Sequence, residues 1–300
     1  MKFRTYKGDR TESGDYRKIH DFLVESENEE YTYARFDWMM TNWEYLEDQY
    51  LNRIGIWEDD EQNGKIVGAT LYDHELDIIF PIALSGYESL YPQMIDYAKA
   101  NMVRKENPNF HVFASDSNME LIQVLKKSGF VAMEQKDMVA RYEADYGIPE
   151  YALPDGYRIT SLAEEEDFRK YLLCMFKGFG HEESNEEFVF NQEKQKEMER
   201  AYNKRKCLDK SLKLSVVNEN GDYVAHCGMW YDAASRIAVI EPVCVIPEYR
   251  KKGLGRAVVF EGIRRVLERG AKRIVVGSSQ QFYYSIGMVP YKTGTLWKLK

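Results

Sequence analysis

The sequence of 300 residues lacks any long apolar run. Its longest runs, residues 78–84 and 237–246, fall far short of the roughly 20 residues that cross a bilayer, so we expect no membrane partner. The first 25 residues contain no apolar segment of the kind found in a secretory signal, and a cytoplasmic location is expected. Hydrophobic residues nevertheless make up 44% of the chain, which excludes a disordered protein.

Cysteine and histidine are scarce and widely spaced. There is no C-x-x-C pair among the four cysteines Cys174, Cys207, Cys227 and Cys244, so we expect reduced thiols rather than a disulfide framework. Metal-ligand spacing is absent among the five histidines His20, His74, His111, His181 and His226. The sequence also lacks a G-x-S-x-G elbow. We therefore expect neither a metal site nor a serine nucleophile.

Positive charge is not in excess, since 41 basic side chains stand against 49 acidic ones and the net charge is −8. An acidic chain without a basic stripe argues against a nucleic-acid partner. The charge is divided unevenly, because residues 1–150 hold 16 basic and 29 acidic side chains and residues 151–300 hold 25 and 20. The two halves carry −13 and +5, which suggests that they do different work.

The chain divides near its midpoint, where residues 147–156 combine two prolines with two glycines in the manner of a linker. Two short patterns recur across this point. Asn63-Gly64 matches Asn220-Gly221, and residues 127–131 match 285–289, at offsets of 157 and 158 residues. Two matches at nearly one offset predict a duplicated domain, with one copy over residues 1–147 and the other over 155–300.

Apolar periodicity predicts the same order of elements in both halves. In the second half it predicts strands over 157–162, 212–217, 222–231, 237–245, 273–276 and 289–299, and helices over 164–179, 186–202, 254–269 and 279–285. In the first half it predicts strands over 3–6, 53–57, 66–72, 76–84, 110–114 and 139–143, and helices over 16–24, 92–102 and 119–128. Strands interleaved with helices indicate an α/β or α+β sheet domain.

The segment 240–257, IEPVCVIPEYRKKGLGRA, is the most informative part of the sequence. Pro242 inside an apolar run predicts a bulge or break in the strand, which frees backbone groups to bind a ligand. Two glycines, Gly253 and Gly255, allow a sharp turn before a helix whose N-terminus attracts anions. Four basic side chains add positive charge to the turn, namely Arg250, Lys251, Lys252 and Arg256. Such a loop suits a pyrophosphate, although it fits neither the P-loop nor the G-x-G-x-x-G pattern.

This segment resembles the acetyl-CoA-binding signature of the GNAT acyltransferase superfamily, through V-x-V-x-P-x-x-R-x-x-G-x-G over residues 243–255. The later pattern Phe282-Tyr283 to Gly287-Met288 is similar to a second family motif, with Met in place of Phe. The resemblance covers residues 156–300 and extends more weakly to 1–146. It implies a duplicated GNAT-like fold, a mixed and mostly antiparallel sheet flanked by helices, and acetyl-CoA as co-substrate.

The resemblance also implies roles for individual residues. The backbone at Val243, Cys244 and Val245 would bind the acyl carbonyl and pantetheine, while the Cys244 side chain is expected to pack. The pyrophosphate would be surrounded by Arg250, Lys251, Lys252, Gly253, Leu254, Gly255, Arg256 and Ala257, and Ser279 would also bind the coenzyme. Glu241 is either the general base or a structural or substrate-binding carboxylate. Tyr283 is either the acid that protonates the departing thiolate or a core aromatic, and the adjacent Tyr284 is an alternative for the acid.

The first half departs from the signature. Residues 85–98, SGYESLYPQMIDYA, contain one glycine and no arginine or lysine, and Glu88 and Asp96 add negative charge. This copy is therefore predicted to be degenerate, with a single working site in the second half.

We expect an N-acetyltransferase that uses no covalent enzyme intermediate and acts on a small-molecule or peptide amine. The acidic residues Glu182, Glu183, Glu186 and Glu187 either attract a cationic acceptor or form a solvated helix face. A non-catalytic acyl-CoA-binding module and a transferase of longer acyl groups remain alternatives, and a homodimer stays open.

Overall fold

The computed structural model describes residues 1–7, 14–41, 48–73, 77–103, 109–202 and 208–300. They form two compact units. Unit 1 comprises Met1–Ala140, Gly277–Tyr284 and Val289–Lys300, and unit 2 comprises Arg141–Val276 and Ser285–Met288. Cys207 and His74 lie outside the described residues.

Unit 1 is built on a mixed sheet. Its strands are β1 Lys2–Thr5, β2 Gly55–Asp59, β3 Lys65–Tyr72, β4 Ile78–Ala83, β5 His111–Ser115, most of β6 Phe130–Glu143, and β12 Val289–Leu299. Its helices are α1 Asp15–Ser26, α2 Tyr33–Met39, α3 Asp48–Leu51, α4 Tyr91–Asn101, α5 Met119–Lys127, and α9 Gln281–Ser285 except for its last residue. Strands β1 to β4 pair antiparallel in chain order, and β4 pairs parallel to β5.

Unit 2 repeats this plan. Its strands are β7 Arg158–Ser161, β8 Lys213–Val217, β9 Tyr223–Asp232, β10 Ile237–Val245 and β11 Arg273–Gly277 (to Val276), and its helices are α6 Phe168–Gly178, α7 Gln192–Tyr202 and α8 Leu254–Glu268. Strands β7 to β10 pair antiparallel in chain order, and β10 pairs parallel to β11. The order and the sense of pairing match those of unit 1, so the duplicated fold predicted from two short patterns is confirmed.

The Asn-Gly turns lie where the sequence places them. Asn63 and Gly64 have φ values of 57° and 72° and end the connection from β2 to β3, while Gly221, with φ 80°, lies between β8 and β9. Asn and Gly tolerate a positive φ better than other residues do, so these residue types favour the two hairpins.

Strand β12 is the main departure from the predicted domain ranges. It belongs to unit 1, where Gly294–Lys298 pair antiparallel with His111–Ser115 of β5. The compact units therefore differ from a simple division at residues 147–155, because the end of the chain completes the sheet of the first unit. Where each repeat begins and ends in the sequence remains a prediction.

Several predicted elements need correction. Helix α7 begins at Gln192 rather than 186, because residues 179–185 form turns in which Gly180 and Asn185 have positive φ. Strand β6 begins at Phe130, nine residues before the predicted 139. Helices α2 and α3 were not predicted. Strands β10 and β12 have the predicted bounds.

Candidate active site

Strand β10 is bulged in the middle. Its register with β9 shifts between Ile240, opposite Met229, and Val243, opposite Cys227, so that Glu241 and Pro242 together face the single residue Gly228. A Cβ at Gly228 would lie 2.3 Å from the Glu241 carbonyl oxygen, which only glycine avoids. The indole Nε1–H of Trp230 donates to that oxygen at 2.8 Å. The bulge predicted from Pro242 is present, and the carbonyl it displaces has a donor.

Strands β10 and β11 separate just before the bulge. Their parallel register covers Ile237–Val239 of β10, whereas the pairing of β10 with β9 continues to Val245. The backbone of Val243 and Val245 thus lies beyond the pairing with β11 and faces the opening between the two strands. An opening of this kind leaves main-chain groups available to a bound molecule.

The loop after β10 leads into an open helix end. Gly253, with φ 82°, is the N-cap of α8, and in the fully described stretch 208–300 no side chain caps this helix. At this end of α8, the Ala257 N–H donates to the Gly253 oxygen, 3.0 Å away. The N–H groups of Leu254, Gly255 and Arg256 therefore point out of the helix end. A Cβ on Gly253 would meet no atom within 4 Å, so there is open space beside it.

The charged side chains of the loop differ in what they contact. Arg250 donates from Nε to the Val245 oxygen at 3.1 Å and from a terminal nitrogen to the Gly178 oxygen at 3.1 Å, and so ties β10 to the end of α6. Lys252 and Arg256 lie 5.0 Å from the ring centres of Tyr249 and Phe260. All of these basic residues, with Lys251, are exposed.

The predicted coenzyme-binding residues Cys244, Leu254 and Ala257 have buried side chains. Cys244 Sγ lies 4.0 Å from Cys174 Sγ and packs against α6, as expected for its side chain. Gly178 allows this approach, since a Cβ there would lie 2.7 Å from Cys244. Any contact of Leu254 or Cys244 with a ligand would therefore come from the backbone, while the Ala257 N–H is already bonded within α8.

The remaining predicted site residues belong to different units. Glu241 is half-buried in unit 2, whereas Ser279, which is exposed, and Tyr283, which is 7% exposed, belong to unit 1. Tyr283 packs edge-on against Phe282, with 5.1 Å between ring centres, and the Tyr284 hydroxyl lies 3.8 Å from Met138 Sδ. The roles of Glu241, Tyr283 and Ser279 remain predictions.

The corresponding loop of unit 1 is closed by its own side chains. The Gly86 N–H donates to both carboxylate oxygens of Glu88, at 3.0 and 3.1 Å. The N–H groups of Tyr87 and Leu90 donate to backbone oxygens of the same turn. In unit 1 the Glu88 carboxylate thus occupies the Gly86 N–H, in the loop that corresponds to the open helix end of unit 2.

Tyr91 fills the region where β4 and β5 part. The β4–β5 register ends at Ile79, and the Tyr91 hydroxyl accepts a hydrogen bond from Asn118 Nδ2 at 2.9 Å. Tyr91 is 4% exposed, and burial raises the pKa of its hydroxyl. That this copy does not bind coenzyme A remains a prediction.

The acidic stretch of unit 2 is exposed and irregular. Glu182 lies 3.2 Å from Lys177, and His181 lies 3.0 Å from Glu186. The stretch is not the helix face that one reading of the sequence expected, because α7 begins only at Gln192.

Two residues of the site were missed from the sequence. Lys213 and Trp230 are each 1% exposed, and the Lys213 ammonium lies 3.4 Å from the Trp230 ring centre. The only signal for Lys213 is a charged residue at an alternate position of a buried strand. Nothing in the sequence reveals that the Trp230 indole reaches Glu241.

Known proteins share this architecture. A GCN5-related N-acetyltransferase from Sphaerobacter thermophilus is 15% identical, with a TM-score of 0.62 over 94% of this chain and 91% of that one. A tandem GNAT protein from the clavulanic acid biosynthesis pathway is 12% identical, with a TM-score of 0.60 over 99% and 97%. A GNAT-family acetyltransferase from Colwellia psychrerythraea is 9% identical, with a TM-score of 0.60 over the whole of both chains. No curated protein matches the sequence.

The β10–α8 segment lies in the part of the chain that matches a known family. Residues 177–288 match the family model described as Acetyltransferase (GNAT) family. The matched segment includes β10 and α8, and the fold of the chain is that of tandem GNAT proteins. Among the described residues, no helix is both long and apolar enough to cross a membrane, and no group of three or more His, Cys, Asp or Glu side chains is placed to hold a metal ion.

Proposed function

We propose that this protein transfers an acetyl group from acetyl-CoA directly to an amine, at one site in the second half of the chain. The observation that supports this most is the continuous segment from the bulge of β10 to the uncapped N-terminus of α8. It combines an opened strand with a helix N-terminus that is rich in positive charge. In unit 1, β4 and β5 also part, but the loop after β4 has no basic side chain.

The residues fit an anionic coenzyme. The outward N–H groups of Leu254, Gly255 and Arg256 would hold the pyrophosphate, and the open space at Gly253 lets it approach the backbone. Lys251 and Lys252 would add charge, while Arg250 would chiefly hold the loop in place through its two carbonyl contacts. The pantetheine arm would lie along Val243 and Val245.

Acetyl-CoA supplies a thioester carbonyl that a neutral amine attacks without a covalent enzyme intermediate. Glu241 would accept the proton from the acceptor's ammonium group, directly or through water, because an alkylammonium is not a nucleophile. Tyr283 would donate a proton to the departing thiolate. The acceptor would be a small-molecule or peptide amine, and the exposed acidic residues 182–187 would favour a cationic one.

Transfer of label from acetyl-CoA to a library of amines tests the proposal. Gly253→Asp places a carboxylate at the open helix end and should lower transfer at least a hundredfold. Gly253→Asn, which has nearly the same shape and the same backbone strain without the charge, is the matched control and should lose about tenfold or less. Equal losses in the two variants would remove the assigned anion site. Coenzyme binding without transfer to any amine would favour a binding module instead.

A further inference from the structure

Lys213 is the least expected side chain of unit 2. It is the first residue of β8, yet it is 1% exposed. Lysine is rarely buried so fully, because removing an ammonium group from water is costly unless other groups replace the hydration. Its Nζ donates to the Met229 oxygen at 2.7 Å and lies 3.4 Å from the Trp230 ring centre. The buried charge is therefore held by a carbonyl and an aromatic face.

These contacts lead directly to the bulge. Lys213 lies opposite Gly228 in the β8–β9 register, and Glu241 with Pro242 lies opposite Gly228 on the other side. Trp230 is two residues from Gly228, on the same face of β9. Its indole, held between the Lys213 ammonium and its own hydrogen bond, donates to the Glu241 oxygen.

The indole has one donor, and it is used on a carbonyl that the regular ladder has lost. Where two residues of β10 face one residue of β9, the ladder does not fix the direction of the Glu241 peptide group. The Trp230 bond fixes it, and the Lys213 ammonium fixes the plane of the indole. The orientation of Glu241 thus depends on a charge two strands away.

We propose that Lys213 is a positioning residue, which acts through Trp230 to orient the bulge at Glu241 for acetyl transfer. Lys213 itself need not touch either substrate. The kinetic consequence rests on the function proposed above, whereas the structural consequence, a fixed indole and a fixed bulge, does not.

Kinetics provide the first test. Lys213→Met keeps an unbranched side chain, one atom shorter, and removes the charge, and we expect kcat to fall at least tenfold. The KM for acetyl-CoA should stay within threefold, because the Gly253 loop is unchanged. The matched control is Lys210→Met, in the turn before β8, where the ammonium pairs with Glu166 near the surface and kcat should stay within twofold. An unchanged kcat in Lys213→Met, or an equal loss in Lys210→Met, would overturn the proposal.

Trp230→Phe removes the N–H donor and keeps a ring for the ammonium. It should lower kcat about as much as Lys213→Met does. The kcat of the double variant should be at most twofold below that of the less active single variant, because each of the three variants breaks the same chain of contacts. Losses that multiply would show two independent effects and overturn the proposal. If Lys213→Met does not fold, Trp230→Phe provides the kinetic test alone. An unchanged kcat in Trp230→Phe would then overturn the proposal.

A spectroscopic readout separates this proposal from the proposed function. The indole N–H resonance of Trp230 is assigned by its disappearance in Trp230→Phe. It should move in Lys213→Met and keep its position in Lys210→Met. If the wild type acetylates no amine, the proposed function fails, and the resonance decides the positioning role by itself. A resonance that stays in place in a folded Lys213→Met variant would exclude that role.

Discussion

The two units end their fourth strand in opposite ways. In unit 2 the loop after β10 presents outward N–H groups, open space at Gly253 and four basic side chains. In unit 1 the Gly86 N–H of the loop after β4 donates to Glu88, and the buried Tyr91 accepts from Asn118. Both loops precede a helix. A loop before a helix is therefore not by itself an anion site, since the chain's own carboxylate can take a backbone donor of that loop.

The largest expected effect concerns the number of coenzyme sites. Calorimetric titration with coenzyme A should give one site per chain in the wild type. Gly253→Asp should show no binding. Glu88→Gln should leave the count at one, because Tyr91 still fills the region between β4 and β5. Two sites in the wild type, or a second site in Glu88→Gln, would break the comparison.

The next effect concerns two glycines in corresponding third strands. Gly228→Ala places a Cβ 2.3 Å from the backbone oxygen of Glu241, which cannot move without moving the bulge. Gly68→Ala in β3 places one 2.3 Å from the end of the flexible Met94 side chain. We expect the free energy of unfolding to fall by about 3 kcal/mol in the first variant and about 1 kcal/mol in the second. Urea unfolding measures both, and the reverse order would contradict the rigid bulge.

The pH dependence of stability should differ between the units because of His226. This residue is completely buried, 3.2 Å from Ser215 Oγ, and burial, helped by the charge of Lys213, lowers its pKa to about 3. Between that value and the pKa of about 6.5 of the unfolded chain, the unfolded state binds a proton that the folded state does not, so stability falls as the pH falls.

At pH 5 the loss should be about 2 kcal/mol relative to pH 7 and above. His226→Asn should show a correspondingly weaker dependence between pH 7 and pH 5 in urea unfolding. An identical slope in wild type and variant would mean that His226 does not titrate in this way.

The smallest effect concerns the filled region of unit 1. Tyr91→Phe removes the hydroxyl that accepts from Asn118, and we expect a loss of about 1 kcal/mol of stability. Acetyl transfer should stay within twofold of the wild type. Thermal unfolding and the transfer assay check the two statements, and a marked loss of activity would connect unit 1 to the chemistry.

The sequence was sufficient for the local features. The bounds of β10, the Asn-Gly hairpins and the break at Pro242 could all be predicted, because each depends on residues adjacent in the chain. Strand β6 was predicted too short, since Glu134, Lys136 and Asp137 interrupt its apolar pattern. The pairing of β12 with β5 joins segments about 180 residues apart in the chain, which no local pattern encodes.

The residues of the candidate site likewise fall into those that a local pattern predicts and those that it does not. The loop at residues 250–257 was found from its glycines and charges, because anion binding depends on that short stretch. Lys213 and Trp230 were missed, since their importance depends on the register of three strands. Even Arg250, which was correctly placed in the loop, contacts the Gly178 oxygen of a helix that the sequence did not connect with it.

The position of β12 has a consequence for biosynthesis. A ribosome makes β5 long before it makes Gly294–Lys298, the residues that pair with it. Until then, the edge of β5 lacks its native partner, and an unpaired edge favours association with other chains. The first unit to be synthesised thus has to wait until β12 has been made, whereas the strand ladder of β7 to β11 can form as soon as residue 277 has emerged.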